Sequence, residues 1–333
     1  MTNRSSNWIR EPFLLRPAAK DYLWGGNRLN EDFSKGISVS PLAETWECSA
    51  NPDGVSIAAS GPFDGIDLAS ILRSHPALLG KHHEATASLP ILIKLIDAKE
   101  DLSIQVHPDD NYARLHENGK LGKTELWYVL AARSHAQLVY GLQYSVDRET
   151  LRESILQGSI GKYLQRIPVK KNDIFFVRPG TIHAICAGTL LAEIQENSNI
   201  TYRLYDYDRL DKDGKKRPLH IEKALDVIDY TPTPAPRQPV RFMKYELGCA
   251  SEILCRCRYF QVERLLVNTE NLRNMITFRS DELSFQVFLC VDGCGSIVLE
   301  SGTLPFYKGD CLFLPADSSF RLHGQAQILK TVC

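Results

Sequence analysis

Six short apolar segments follow one another between residues 90 and 206: "PILIKLIDA" (90–98), "TELWYVLAA" (124–132), "AQLVYGL" (136–142), "DIFFVR" (173–178), "LLAEIQE" (190–196) and "ITYRLYD" (200–206). Each is rich in β-branched or aromatic residues and is bounded by Gly, Pro, Asn or Asp, which is the pattern of a strand between turns. Many short strands at close spacing restrict the chain to an antiparallel sandwich or barrel. Helical periodicity is confined to three places. These are "DLASILRSHPALLG" (67–80), "DRETLRESILQGSIGKYLQRI" (147–167, with Asp147 as N-cap) and "HIEKALDVIDY" (220–230).

The strand pattern resumes after a proline-dense stretch, "DYTPTPAPRQPV" (229–240), which reads as an extended connector. Beyond it lie "YFQVERLLV", "MITFRS", "FQVFLCVDG", "GSIVLES", "CLFLPA" and "AQILKTV". A total of 333 residues also suggests more than one domain. We expect a boundary at 235/236, with residues 1–235 forming a metal-binding domain with helical insertions and residues 236–333 a second, metal-free copy. An internal repeat supports two copies: "KNDIFFVRPGTIHAI" and "KGDCLFLPADSSFRL" share Lys-x-Asp, an apolar strand and a proline turn. Asp173 precedes His183 as Asp310 precedes Phe320, so at this position only the first copy carries a metal donor.

Composition narrows the function. A net charge of −1 offers no basic field for nucleic acid or an anionic membrane. No apolar run reaches the roughly 20 residues of a membrane span, and "MTNRSSNWIREPF" lacks the apolar segment of a secretory signal. The nine cysteines form no C-x-x-C pair, which points to reduced thiols and a cytoplasmic location. Spacing in a Cys255, Cys257, Cys290 and Cys294 set does not match the usual zinc knuckles.

The residues that carry chemistry lie on or beside three of the first six strands and on two more. In "LSIQVHPDD", apolar Leu102, Ile104 and Val106 alternate with Ser103, Gln105 and His107, so the three polar side chains share one strand face. Glu125 shares a face with Trp127 and Val129, and His183 follows a Pro-Gly turn. Two histidines and a carboxylate from separate strands can converge on one metal, with positions left for water or substrate. Zinc suits these donors best, although iron or manganese accepts the same set. Lys94, Lys123 and Arg203 are cations on the same strands and suit an anionic ligand such as a phosphate. His75, His82, His83, His116, His135, His220 and His323 read as lone surface residues.

Together, "LLRPAAKDYLWGG", "LAETWECSA", "PILIKLIDAKEDLSIQVHPDD", "GKTELWYVL" and "RPGTIHAICAGTLLAEIQENSNITYRLYDYDR" resemble the type I phosphomannose isomerases, in the short form of Gram-positive bacteria. The resemblance covers nearly the whole chain. It implies a mainly β fold of two cupin (jelly-roll β-barrel) domains with helical insertions. It also implies one zinc ion on Gln105, His107, Glu125 and His183, and catalysis by Arg203. Lys94, Ser103 and Lys123 match positions linked to the sugar phosphate, and Trp24 and Glu44 match motif residues at the rim. Asn199 and Asn51 stand where family members often carry Asp and some carry His.

The reaction implied is interconversion of mannose 6-phosphate and fructose 6-phosphate by proton transfer through an enediolate. Glu193 is the candidate base, with a hydroxide held by the metal as the alternative. Two other readings use the same residues: an iron cupin dioxygenase, against which Gln105 and the lysines speak, and a sugar-phosphate-binding cupin without catalysis, against which the intact residue set speaks. The expected partner is a small sugar phosphate, with neither nucleic acid nor membrane, for a monomer or weak homodimer.

Overall fold

In the strand Ile91–Ala98 all eight residues are buried, because both faces of the strand are covered. Ile91, Ile93 and Leu95 point into a core that includes Phe285, Val287, Leu289 and Phe313 from the carboxy-terminal part of the chain. Ile96 and Ala98 point the opposite way, into a second core with Trp127, Val129, Leu138 and Ile185. The same alternation governs Glu125–Ala132 and Thr189–Glu196. Leu126, Tyr128, Ala192 and Ile194 face the shared core, whereas Trp127, Val129 and Leu191 face the inner one.

The computed structural model describes residues 8–211, 213–236, 238, 240–272 and 275–333. Residues 1–7 of the stretch read for a signal, and Arg237 and Pro239 of the proline-dense connector, lie outside the described residues. The fold is mainly β, as expected. A six-stranded antiparallel sheet runs Ile174–Val177, Glu125–Ala132, Thr189–Glu196, Ile91–Ala98, Glu44–Cys48, Ala18–Lys20. A five-stranded sheet runs Tyr202–Tyr205, Ile104–Val106, His183–Ile185, Gln137–Leu142, Leu164–Pro168. The inner core holds side chains from both, so the two sheets face each other across it. The outer face of the five-stranded sheet is covered by the helices Arg148–Leu156 and Ile221–Val227 through Leu151, Ile155, Ala224 and Leu225.

A ten-stranded sheet holds the remaining strands of the described residues, and its central ladder pairs Gln286–Val298 with Ser319–Val332. Phe13–Arg16 belongs to it too, paired with Cys311–Leu314. A boundary at 235/236 stays our proposal for the domains; across it this early strand completes the later sheet. The connector is strapped to the first part, where Thr233 N donates to Leu142 O and Gln238 bonds both backbone groups of Ile174. No helix among the described residues is long and apolar enough to cross a membrane.

Three elements differ from the sequence reading. The helix expected over 147–167 ends at Leu156, because Gly158 takes a left-handed φ of 66° and the chain turns into the strand Leu164–Pro168. "FQVFLCVDG" and "GSIVLES" form one strand, Gln286–Val298, carried past its glycines by a bulge between Cys290 and Asp292. A further helix, Asp110–His116, follows Pro108; Asp109 caps it by accepting from Tyr112 N at 2.8 Å.

The two repeat copies share their turn chemistry. Asp173 accepts from Lys170 N and Asp310 from Tyr307 N, each three residues back, and each leads into a strand. At the histidine position the second copy buries Phe320 against Phe278 and Phe288.

Candidate active site

Period-two alternation brings the polar residues of both inner faces together. Ile104 and Val106 pack outward under the helices, which turns Ser103, Gln105 and His107 inward. Ala184 packs outward as well and turns His183 inward, where its Cα is the ladder partner of Gln105. Glu125 enters from the opposite sheet.

His107, Glu125 and His183 are fully buried, and one ligand atom from each lies within 4.8 Å of the others. His107 Nε2 is 3.1 Å from His183 Nε2 and 3.3 Å from Glu125 Oε1; His183 Nε2 is 3.8 Å from Glu125 Oε2. The ring of His183 is oriented by Nδ1, 2.8 Å from the carbonyl of Thr181. That carbonyl only accepts, so Nδ1 carries the proton and Nε2 presents its lone pair to the cluster. Gln105 Nε2 lies 3.3 Å from the same His183 nitrogen, and its Oε1 is 3.4 Å from Ser103 Oγ. Rotating this amide by half a turn exchanges the two atoms and points the oxygen at the imidazoles.

The electrostatics suit a cation. Burial, then the charge of Lys123, pulls the His107 pKa down to about 3, and burial lowers that of His183, so both rings are neutral donors. Burial opposes the charge on Glu125, but the Lys123 ammonium, 2.6 Å from Oε1, and the two imidazoles together hold the carboxyl well below the usual range. Neither Glu125 oxygen accepts a well-aligned hydrogen bond, and His107 Nδ1 has no partner. Two neutral imidazole donors and a buried, under-satisfied carboxylate at these separations fit a metal ion.

Above this cluster opens a cavity of ≈ 310 Å³. Its walls include Trp24, Glu44, Lys94, Ser103, Gln105, Lys123, Glu193 and Arg203, so the structure brings the expected residues to one place. Lys94 is almost fully buried, 3.0 Å from Glu193 Oε1 and 4.0 Å from Glu44 Oε2. Burial alone lowers the Lys94 pKa, and the two carboxylates more than offset this and raise it. Glu193 Oε2 also accepts from Trp127 Nε1 at 2.9 Å, and Glu44 Oε2 from Trp46 Nε1 at 2.7 Å. Arg203, whose Cα is opposite Gln105 in the ladder, donates from Nη1 to Pro218 O, while its Nε is buried without a partner. Asn199 Nδ2 donates to Asp53, whose backbone N donates in turn to Asn51 Oδ1.

Residues 13–126 match the family described as Phosphomannose isomerase type I, catalytic domain, and residues 252–332 match Mannose-6-phosphate isomerase, cupin domain. Mannose-6-phosphate isomerase ManA of Bacillus subtilis (strain 168) is 36% identical over 320 residues, which cover 96% of this chain and 98% of that protein. The mannose-6-phosphate isomerase of Streptococcus mutans is 43% identical over 324 residues, covering 97% and 98%. The chain belongs to the type I phosphomannose isomerase family. The crystal structure of the Bacillus subtilis mannose 6-phosphate isomerase superposes with a TM-score of 0.86 at 34% identity, over 96% of this chain and 99% of that one.

As a member of this enzyme family, the isomerase shows cavity residues that the sequence reading missed: Tyr22, Thr201 and Arg217. Tyr22 and Thr201 sit within motif text without a charge to single them out. Arg217 stands in the run "KDGKKRPLH", which reads as solvated surface. Of the histidines outside the cluster, His220 touches the site indirectly, as its Nδ1 accepts the backbone N–H of Arg203 at 3.1 Å. All nine cysteines are free, and among the described residues the one group of three or more donors is that of His107, Glu125 and His183.

Proposed function

We propose that the chain interconverts mannose 6-phosphate and fructose 6-phosphate, with one zinc ion held by Gln105, His107, Glu125 and His183. The observation that carries this reading is the convergence of three buried donors beneath a cavity walled by Lys94, Glu193 and Arg203. Zinc bonds of about 2.0–2.1 Å in a tetrahedron set donor separations of about 3.3 Å; the closest contacts here are 3.1, 3.3 and 3.8 Å. Bound zinc supplies Lewis acidity toward the two sugar oxygens that exchange carbonyl character.

The protein's own groups do the rest. Isomerisation takes the proton from C2 of the aldose and returns it to C1, through an enediolate whose negative charge must be held. Arg203, locked at Nη1 by Pro218 O, presents its remaining donors to that charge without reorganising. Glu193 is the carboxylate we assign to moving the proton, beside Lys94. A second reading rests on the occupation of both Glu193 oxygens, by Lys94 and by Trp127: donors lower the basicity of a carboxylate, so Glu193 would then brace Lys94 instead. Ser103, Lys94 and Lys123 bind the sugar phosphate in this reading, and Trp24 and Glu44 shape the rim. We assign the enzyme to the cytoplasm, as a monomer or weak homodimer.

The test is a coupled assay for fructose 6-phosphate, run with metal analysis before and after chelation. Activity is expected to fall with the bound zinc and to return when zinc is restored. Full turnover in metal-free protein overturns the reading.

A further inference from the structure

The cavity has one cationic wall residue whose part is unassigned. Arg217 lines it next to Arg203, and its guanidinium is clamped from behind. Nε donates to Asp206 Oδ2 at 2.8 Å and Nη2 to Asp206 Oδ1 at 2.6 Å, the paired fork geometry of arginine on a carboxylate. Asp206 is itself buried and held a second time, by Arg209 Nη2 at 2.5 Å. Arg209 is tied in turn to the carbonyls of Asp206 and Asp101. One carboxylate therefore fixes two arginines, and a guanidinium has five N–H donors, so Arg217 keeps three for the cavity.

The other cations of the site are already balanced. Lys94 faces Glu193 and Glu44, and Lys123 faces Glu125. Arg203 is different: it is bound to a backbone carbonyl, it has a buried Nε without a partner, and burial and the charges of Arg217 and Arg209 together lower its pKa. The Arg203–Arg217 side of the cavity is thus where positive charge and open donors exceed their partners, as a phosphate monoester of about −2 requires.

We propose that Arg217, braced by Asp206, anchors the phosphate of the sugar phosphate, which leaves Arg203 to the enediolate. This rests on the proposed isomerase reading. It adds a specificity residue to it: Arg217 binds the part of the substrate that does not react.

The experiment compares wild type, R217Q and R217K by steady-state kinetics on mannose 6-phosphate and by calorimetric binding of inorganic phosphate. A group holding a non-reacting part of the substrate acts chiefly on binding. In R217Q, KM is expected to rise about tenfold or more with kcat within about threefold, and phosphate binding to weaken in parallel. R217K retains a charge opposite Asp206 and keeps the fold, and its values should lie between the other two. Unchanged KM and phosphate binding in both variants overturn the proposal, as does a fall in kcat at unchanged KM. A wild type without isomerase activity refutes the proposed function, and the phosphate titration still tests Arg217.

Discussion

The Nε2 atoms of His107 and His183 lie 3.1 Å apart although 76 residues separate them, and Glu125 closes the group from the opposite sheet. The Lys123 ammonium already holds the Glu125 carboxylate, and a divalent cation among the three residues would satisfy a ligand atom of each at once. A metal bound there would add to stability: a ligand at about 1,000 times its Kd adds about 4 kcal/mol. Chelation is expected to lower the melting temperature of the wild type. In Glu125→Gln the carboxylate charge is gone and Lys123 is left buried without its counter-ion, so this variant should melt lower from the start. Chelation should then move it little. Calorimetric scans with and without chelator check both statements.

Lys94 and Glu193 form an ion pair buried on both sides, which makes single substitutions costly. Removing one partner of such a pair costs about 3–5 kcal/mol, whereas replacing both with uncharged groups costs far less. Lys94→Met and Glu193→Gln are each expected to destabilise strongly, and the double variant by less than the sum of the two. Urea unfolding of the four proteins measures the coupling. Turnover separates the two roles of Glu193: as the proton carrier, its loss lowers kcat by about 10²-fold or more even where stability has been recovered in the double variant.

The strands and most of the side chains that line the candidate site were legible because the facing of side chains here alternates along the strands. Lys94, His183 and Arg203 each stand between apolar neighbours and Glu125 precedes one, and that pattern alone turns them to the opposite face from Leu95, Ala184, Leu204 and Leu126. Long-range facts were not legible. No local signal tells Phe13–Arg16 to complete a sheet whose other main strands lie about 300 residues away, and a charge run gives no sign that Arg217 folds back onto Asp206. Helix length failed for a local reason, since periodicity continues past Gly158 while the backbone does not.

The repeat predicts a difference between its copies. Phe320 stacks on Phe278 with ring centroids 5.7 Å apart and meets Phe288 edge-on at 6.0 Å, within an apolar core cluster. Phe320→Ala should cost about 3–5 kcal/mol, the usual loss for a buried aromatic. Phe320→His restores the histidine of the first copy and no other ligand, so it should lower stability without raising the bound metal above one ion per chain. Denaturant midpoints and metal content per chain are the two measurements.

Glu196 gives the pH dependence a definite sign. Burial is the main cause that raises its pKa from 4.5 to about 7, helped by the neighbouring charge of Asp110. Its Oε2 accepts from Thr124 N at 2.7 Å, and its Oε1 is buried without a partner. Asp110, by contrast, is held as a carboxylate by Gly122 N and by the hydroxyl of Tyr259 from the carboxy-terminal part of the chain. Protonated Glu196 can donate to Asp110, and ionised Glu196 cannot. Between pH 4.5 and about 7 the folded chain thus holds a proton at Glu196 that the unfolded chain has released. The contribution of this group is fully present below pH 4.5 and is lost as pH rises through about 7. Glu196→Gln keeps a donor facing Asp110 at every pH. The stability difference between variant and wild type should therefore grow in the variant's favour from pH 4.5 to 7.5 and level off above. Urea midpoints of both proteins at half-unit pH intervals decide it; parallel curves across that window would show that Glu196 titrates as an ordinary carboxyl.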